Sequence, residues 1–213
     1  MFNGIIFYLG TIVELRSINE WDLEFTVKIT YQDPSFFITL PEGASVAFDG
    51  TCLTVTSIKH GDHSCYLSVH VSSTSIKTTN ISNWRIGSIL NIEFAIKVGD
   101  MVHGHFVSGH IDTTTKVLKI ERIGDSHQLT LNLPEEWKPY VASKGSITIN
   151  GVALTVVETQ HDSFMVNIIP YTYSHTNLHT LNIGSVVNLE FDAVARYIVR
   201  LNELKADPDS VMV

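Results

Sequence analysis

The chain states much of its sequence twice. Residues 43–56 read G-A-S-V-A-F-D-G-T-C-L-T-V-T, and residues 144–157 read K-G-S-I-T-I-N-G-V-A-L-T-V-V. Without gaps, Ser45 falls on Ser146, Gly50 on Gly151, Leu53 on Leu154 and Thr54 on Thr155. The match resumes at 75–81 over 172–178, and again at 86–94 (I-G-S-I-L-N-I-E-F) over 183–191 (I-G-S-V-V-N-L-E-F). The offset falls from 101 to 97 between the first block and the later ones, which fits a longer loop near Lys59–His63 in the first half. Gly4-Ile5-Ile6 matches Gly109-His110-Ile111 more weakly. A duplication on this scale requires both halves to adopt one fold and implies two similar pockets. The copies differ where Cys52 faces Ala153 and where Ala95 faces Asp192, so those positions are where the halves would act differently.

At 213 residues the chain divides into two units of about 100 residues, each large enough for its own core. The expected bounds are 1–98 and 99–191, followed by a C-terminal helix and tail over 192–213. Short β-branched or alternating runs predict strands at Val46–Phe48, Cys52–Ile58, Cys65–Val71, Ile89–Phe94, Leu129–Leu133, Ile147–Ile149, Ala153–Val157, Phe164–Ile168 and Val186–Phe191. Asp49-Gly50 and Asn150-Gly151 interrupt those runs as tight hairpin turns. Helical signals are brief at Pro34–Phe37, Pro134–Trp137, 73–79 and 170–176. A longer helix is predicted over Asp192–Leu204, capped by Asp192, with Val194, Tyr197, Ile198, Leu201 and Leu204 on one face. With so many short strands per half, a closed barrel is the natural way to hide the sheet edges. The helix stripe has no third domain to cover it and predicts either an oligomer contact or packing on its own barrel.

The net charge of −8, without a Lys/Arg cluster, argues against nucleic-acid binding. No apolar run reaches a membrane span, and the start M-F-N-G-I-I lacks the features of a signal peptide. Two cysteines do not make a disulfide framework, which predicts a cytoplasmic protein with free thiols.

Cys52 reads as an inert strand cysteine or as a reactive one, and the repeat favours the second reading because Ala153 replaces it in the other copy. His103, His105 and His110 lack companion ligands at metal spacing, so no metal is predicted. His103 and His105 would share a strand face and could serve proton transfer. Asp192 fits both a helix cap and a general acid or base. Repeated hydroxyls such as Thr54, Ser75, Thr155 and Thr172 could hold a polyol or a polar ring edge. Neither a dinucleotide-binding nor a phosphate-loop pattern is present, and no cofactor is expected.

Taken together, M-F-N-G-I-I, D-G-T-C-L-T-V-T, G-H-F-V-S-G-H-I-D, N-G-V-A-L-T-V-V, N-I-I-P-Y-T-Y-S-H-T-N-L and V-N-L-E-F-D resemble the riboflavin synthase family of the alpha-chain type, in order and over the whole chain. The resemblance implies an all-β fold of two similar six-stranded antiparallel Greek-key β-barrels with a C-terminal α-helix, assembled as a homotrimer through that helix. It implies a cofactor-free dismutation of two 6,7-dimethyl-8-ribityllumazine molecules into riboflavin and 5-amino-6-(D-ribitylamino)uracil. The site would form between the N-terminal barrel of one subunit and the C-terminal barrel of another. By the same resemblance, Gly4, Ile5, Ile6, Cys52, Leu53, Thr54, His70, Val71, Ser72, Ser73, Thr74 and Ser75 line the N-barrel pocket. Gly109, His110, Ile111, Lys144, Ala153, Leu154, Thr155, Asn167, Ile168, Ile169, Pro170, Tyr171 and Thr172 line the C-barrel pocket. Phe2, Ser45, Cys52, His110 and Asp192 match the positions implicated in catalysis. Ala153 stands where the family commonly has Ser, and Asn3 where it commonly has Thr. Non-catalytic lumazine proteins share the fold but lose the matching Cys and the glycine-flanked histidines, which this chain keeps.

Overall fold

The computed structural model describes residues 1–32 and 39–206. Two closed barrels hold all twelve strands of the described residues. The first contains β1 (Tyr8–Ser17), β2 (Leu23–Thr30), β3 (Ser45–Phe48), β4 (Thr51–Gly61), β5 (Ser64–Val71) and β6 (Ile89–Phe94). The second contains β7 (Thr113–Ile123), β8 (Ser126–Asn132), β9 (Ser146–Ile149), β10 (Val152–Thr159), β11 (Ser163–Ile168) and β12 (Val186–Phe191). Both close in the same order, β1-β2-β5-β4-β3-β6 and its counterpart β7-β8-β11-β10-β9-β12, through antiparallel ladders. The repeat predicts two like halves and the resemblance two six-stranded Greek-key barrels, and both are found.

Each barrel encloses its own core. Val27, Ile29, Phe25, Phe48, Leu67 and Ile92 fill the first, and Leu129, Leu131, Ile149, Phe164, Val166 and Phe191 the second. The side chains alternate in and out along the strands, as in Leu129–Asn132 and Phe164–Ile168, and burying each large one contributes roughly 1.5–3 kcal/mol. The hairpin turns sit where the dipeptides place them. Asp49 and Gly50 have φ of 47° and 80°, Asn150 and Gly151 46° and 77°, the left-handed pair a two-residue hairpin needs.

Three strands are not among those predicted: β1, β2 and β7. In β1 and β7 a register shift falls between Ile12 and Glu14 and between Val117 and Lys119, which breaks the two-residue period. The segments at 73–79 and 170–176 form α1 (Ser73–Thr78) and α2 (Pro170–His175), each followed by a 3-10 turn, Asn80–Asn83 and Asn177–Thr180. Pro134 precedes a 3-10 segment, Glu135–Tyr140. The helical signal at Pro34–Phe37 lies outside the described residues. The chain ends in α3 (Ala193–Ala206), whose first turn is capped by Asp192 Oδ1 accepting from the Val194 N–H at 2.9 Å. Val194, Tyr197, Ile198 and Leu201 of its apolar stripe are all more than half exposed in the single chain. Among the described residues, no helix is long and apolar enough to cross a membrane.

Candidate active site

The two barrels meet across a pseudo-twofold axis, and the residues on that axis are repeat counterparts. Phe2 pairs with Val107, its N–H donating to the Val107 carbonyl at 2.7 Å and its carbonyl accepting in return at 3.0 Å. Gly50 meets Gly151 so closely that a Cβ on either would lie 2.7 Å from the other's backbone nitrogen.

Beside the glycine pair lies a buried polar network: Asp49, Asn80 and Asn91 from one half, and Asn150, Asn177 and Asn188 from the other. Asn91 Nδ2 donates to the Asn150 carbonyl (2.9 Å) and to Asn177 Oδ1 (2.8 Å), and its Oδ1 accepts from the Asn177 N–H (2.6 Å). Asn188 mirrors this: Nδ2 donates to the Asp49 carbonyl (2.9 Å) and Asn80 Oδ1 (3.0 Å), and Oδ1 accepts from the Asn80 N–H (2.7 Å). Each side chain joins the half it belongs to with the opposite half, so the network fixes one relative orientation of the barrels. Buried amides hold a unique arrangement when their bonds are satisfied.

One member breaks the symmetry. Asp49 stands opposite Asn150, and its Oδ1 accepts from the Asn91 N–H and Asn177 Nδ2, both at 2.8 Å. Burial pushes its carboxyl up to about 7, partly offset by those hydrogen bonds. A carboxyl whose folded pKa exceeds its unfolded value favours folding fully at pH below about 4, and that contribution is lost as pH rises through 7. Asp49→Asn removes the ionisation and keeps the acceptor. We therefore expect the variant to match wild type near pH 4 and to be more stable by a few kcal/mol, to order of magnitude, at pH 8. Urea unfolding at the two pH values measures the difference.

The same axis decides which residues can form a site together. The opening segment leaves the N-terminal barrel and docks on the C-terminal one: Ala153 N–H donates to the Gly4 carbonyl at 2.8 Å, and Ile6 packs against the second core. Its counterpart crosses the other way, with Cys52 N–H donating to the Gly109 carbonyl at 2.8 Å. A Cβ at Gly4 would lie 2.5 Å from the Ala153 Cβ; one at Gly109 would lie 2.7 Å from the Cys52 Cβ and 2.9 Å from the Phe2 ring. The expected grouping of Gly4–Ile6 with Cys52, and of Gly109–Ile111 with Ala153, is therefore corrected: each glycine segment belongs with the opposite barrel. The reason is the pairing of Phe2 with Val107, which sends the two segments past each other.

A buried carboxylate holds each crossing segment. Glu93 accepts from the Asn3 N–H (2.7 Å) and Gly4 N–H (3.0 Å); Glu190 accepts from the Ser108 N–H (2.7 Å) and Gly109 N–H (2.9 Å). Burial raises both carboxyls to about 7, opposed by these backbone bonds.

Phe2 is fully buried in a small cluster with Ala47 and Val107, against which Cys52 and Ala95 pack. Cys52 is half-buried and pairs with Ala47; Ser45 is exposed and pairs with Thr54. His110 is exposed and Asp192 half-buried at the start of α3. Burial lowers the pKa of His105, and the nearby Asp192 carboxylate opposes that shift. Phe2, Cys52 and Gly109, which precedes His110, are thus brought together, whereas Asp192 lies near His105. Cys65, by contrast, is buried in the first barrel, its thiol pushed up to about 11.

The remaining predicted lining residues divide between the two barrels. Leu53 is buried and Thr54 exposed on β4; His70 and Val71 end β5, and Ser72 caps α1, accepting from the Ser75 N–H, with Ser73 and Thr74 between. His70 Nε2 lies 2.8 Å from Glu24 Oε2, a contact the sequence did not suggest. In the second barrel, Leu154 and Thr155 follow Ala153 on β10, and Asn167 and Ile168 end β11. Ile169 caps α2, where Pro170, Tyr171 and Thr172 form the first turn. Lys144 has φ of 69° and is exposed before β9. Ile5 and Ile111 are both half-buried beside the crossing glycines. Among the described residues, no group of three or more His, Cys, Asp or Glu side chains is placed to hold a metal ion.

The residues missed in the sequence are Asn91, Asn188, Glu93 and Glu190. Their signal was present: N-x-E-F recurs at 91–94 and 188–191, polar side chains repeated inside otherwise apolar strands.

The sequence pattern of the lumazine binding domain matches the chain twice, over residues 3–95 and 108–192. The riboflavin synthase of Brucella abortus (strain 2308) is 35% identical over 202 residues, covering 94% of this chain and 98% of that protein. That of Actinobacillus pleuropneumoniae is 36% identical over 198 residues, covering 93% and 88%. Among solved structures, LumP complexed with riboflavin superposes with a TM-score of 0.77 at 25% identity, covering 90% of this chain and 100% of that one. Duplicated barrels, crossing glycine segments and these matches lead to one assignment: the chain belongs to the riboflavin synthase family of lumazine-binding double-barrel proteins.

Proposed function

We propose that the protein is a riboflavin synthase that converts two molecules of 6,7-dimethyl-8-ribityllumazine into riboflavin and 5-amino-6-(D-ribitylamino)uracil. The observation that carries this reading is the crossed arrangement, in which the one cysteine-bearing strand copy meets the one histidine-bearing glycine segment. Two identical substrates require two related pockets, and one must donate a four-carbon unit that the other accepts, so the pockets must also differ. The two barrels supply the likeness, and Cys52, His110 and Asp192 the difference.

A lumazine C7 methyl must lose a proton to a base, and its ring delocalises the resulting carbanion. His110 and Asp192 take the proton-transfer roles. Cys52 assists as a polar or nucleophilic group at the second molecule, adding and later leaving. Phe2 and Ser45 shape the same pocket. Holding two flat rings in register contributes much of the acceleration. In this reading residues 1–98 and 99–191 form the two lumazine-binding units. The exposed stripe of α3 joins three copies, so that the N-barrel pocket of one subunit faces the C-barrel pocket of the next in a cytoplasmic homotrimer.

The test is incubation with 6,7-dimethyl-8-ribityllumazine alone. Riboflavin fluorescence should appear with one riboflavin formed per two lumazines consumed. Binding without product would instead make the protein a non-catalytic binder. A second expectation concerns Ala153, whose Cβ sits at the mouth of the second barrel beside Gly4 and Gly104. Ala153→Ser adds a hydroxyl there and should tighten lumazine binding by about 0.5–1.5 kcal/mol, the range of one hydrogen bond. Isothermal titration checks this, and unchanged affinity counts against a ligand contact at Ala153.

A further inference from the structure

The two crossing segments are held alike by Glu93 and Glu190, but the cation behind each differs: the Met1 ammonium acts on Glu93, whereas a side chain, Arg196, stands behind Glu190. Arg196, in the first turn of α3, reaches back to the His110 segment. Its Nη2 donates to the His110 carbonyl at 3.1 Å and to Asp112 Oδ2 at 2.7 Å, and lies 3.6 Å from Glu190 Oε1. Glu190 in turn holds the N–H groups of Ser108 and Gly109. Asp112 Oδ2 also accepts from the Phe191 N–H at 2.7 Å, one residue before Asp192. One guanidinium therefore gathers the carbonyl of His110, the carboxylate behind Gly109 and the strand end that carries Asp192. Arginine suits this task because its planar fork is charged at every working pH and serves several acceptors at once.

The other half of the molecule provides the control. There Ile5 and Phe7 stand where the second copy has His110 and Asp112, and Ala95 stands where it has Asp192. Glu93 still holds Asn3 and Gly4, yet β6 runs into the inter-barrel linker instead of a helix. The arginine, the second carboxylate and the helix occur together on the side that carries His110 and Asp192.

We propose that Arg196 is a positioning residue, fixing the backbone from Ser108 to Asp112 against α3 so that His110 is presented to the Cys52 pocket in one orientation. This rests on the enzymatic reading above. It also makes α3 part of the site, since whatever holds that helix in place holds Arg196.

The experiment compares wild type with Arg196→Gln and Arg196→Lys, using 6,7-dimethyl-8-ribityllumazine as substrate. Arg196→Gln should lower kcat by roughly 10- to 100-fold, because a misplaced group near the reacting atoms costs that much. Its KM should change by less than kcat does, since Arg196 itself makes no contact with substrate in this reading. Arg196→Lys should recover part of kcat by restoring the charge. Hydrogen exchange should quicken at the Ser108 and Gly109 amides in Arg196→Gln while the Asn3 and Gly4 amides stay as in wild type. Wild-type kcat in Arg196→Gln would overturn the proposal, as would equal loosening of both amide pairs, which would mark a general loss of stability. If wild type makes no riboflavin, the enzymatic reading fails, whereas the exchange contrast still reports whether Arg196 fixes the segment.

Discussion

Replacing Asn188 with alanine should destabilise the protein by about 3–5 kcal/mol, the upper range for a single substitution. The side chain is fully buried. Its loss leaves the Asn80 N–H without the acceptor 2.7 Å away and the Asp49 carbonyl without its donor at 2.9 Å. Asn80 Oδ1 retains the Trp84 indole N–H at 3.1 Å, so it is only partly stripped. Two buried backbone groups without partners, each costing about 1–3 kcal/mol, account for most of the effect. Urea unfolding should show it as a lower midpoint. A loss under about 1 kcal/mol would mean that water enters the interface and replaces the amide.

Gly109→Ala should be the most damaging change to activity. Gly109 has φ of 80°, which a residue with a Cβ rarely adopts, and the new methyl would sit 2.7 Å from the Cys52 Cβ and 2.9 Å from the Phe2 ring. Neither neighbour can yield easily, because Phe2 is fully buried and Cys52 lies within the β3–β4 ladder. The segment must then back away, breaking the bond from Cys52 N–H to the Gly109 carbonyl and moving His110. A shift of about 1 Å at such a site costs roughly 100-fold in rate. We expect turnover to fall at least that far while the separate barrel cores keep the protein folded, as circular dichroism and a riboflavin fluorescence assay would show together. Near-normal turnover would remove the Cys52–His110 junction from the chemistry.

Much of the fold could be read from the residues because its signals are local. Asp49-Gly50 and Asn150-Gly151 name their own turns, and Asp192 names the start of α3. The alternation in Leu23–Thr30 was also available, but β1 and β7 hide behind register shifts at Ile12/Glu14 and Val117/Lys119. The repeat established two like halves but not how they dock, since internal similarity carries no information about which half a segment touches. Hence the repeat alone does not say that Gly4 lies against Ala153 and Gly109 against Cys52. Arg196 escaped for a related reason: it belongs to the unrepeated helix, and its partners Asp112 and Glu190 lie far from it in sequence. The buried Asn pairs were visible as repeated polar positions in apolar strands, but their role depends on a pseudo-twofold axis that only the assembled barrels define.

The central claim is that duplication provides two pockets for two copies of one substrate. Counting bound lumazine tests it most directly. Equilibrium dialysis at saturating 6,7-dimethyl-8-ribityllumazine, using an Asp192→Asn variant slow enough to bind without turning over, should find two molecules per chain, one per barrel and of unequal affinity. One molecule per chain at saturation, with wild type still forming riboflavin, would contradict the account, because a single pocket would then serve both reactants in turn.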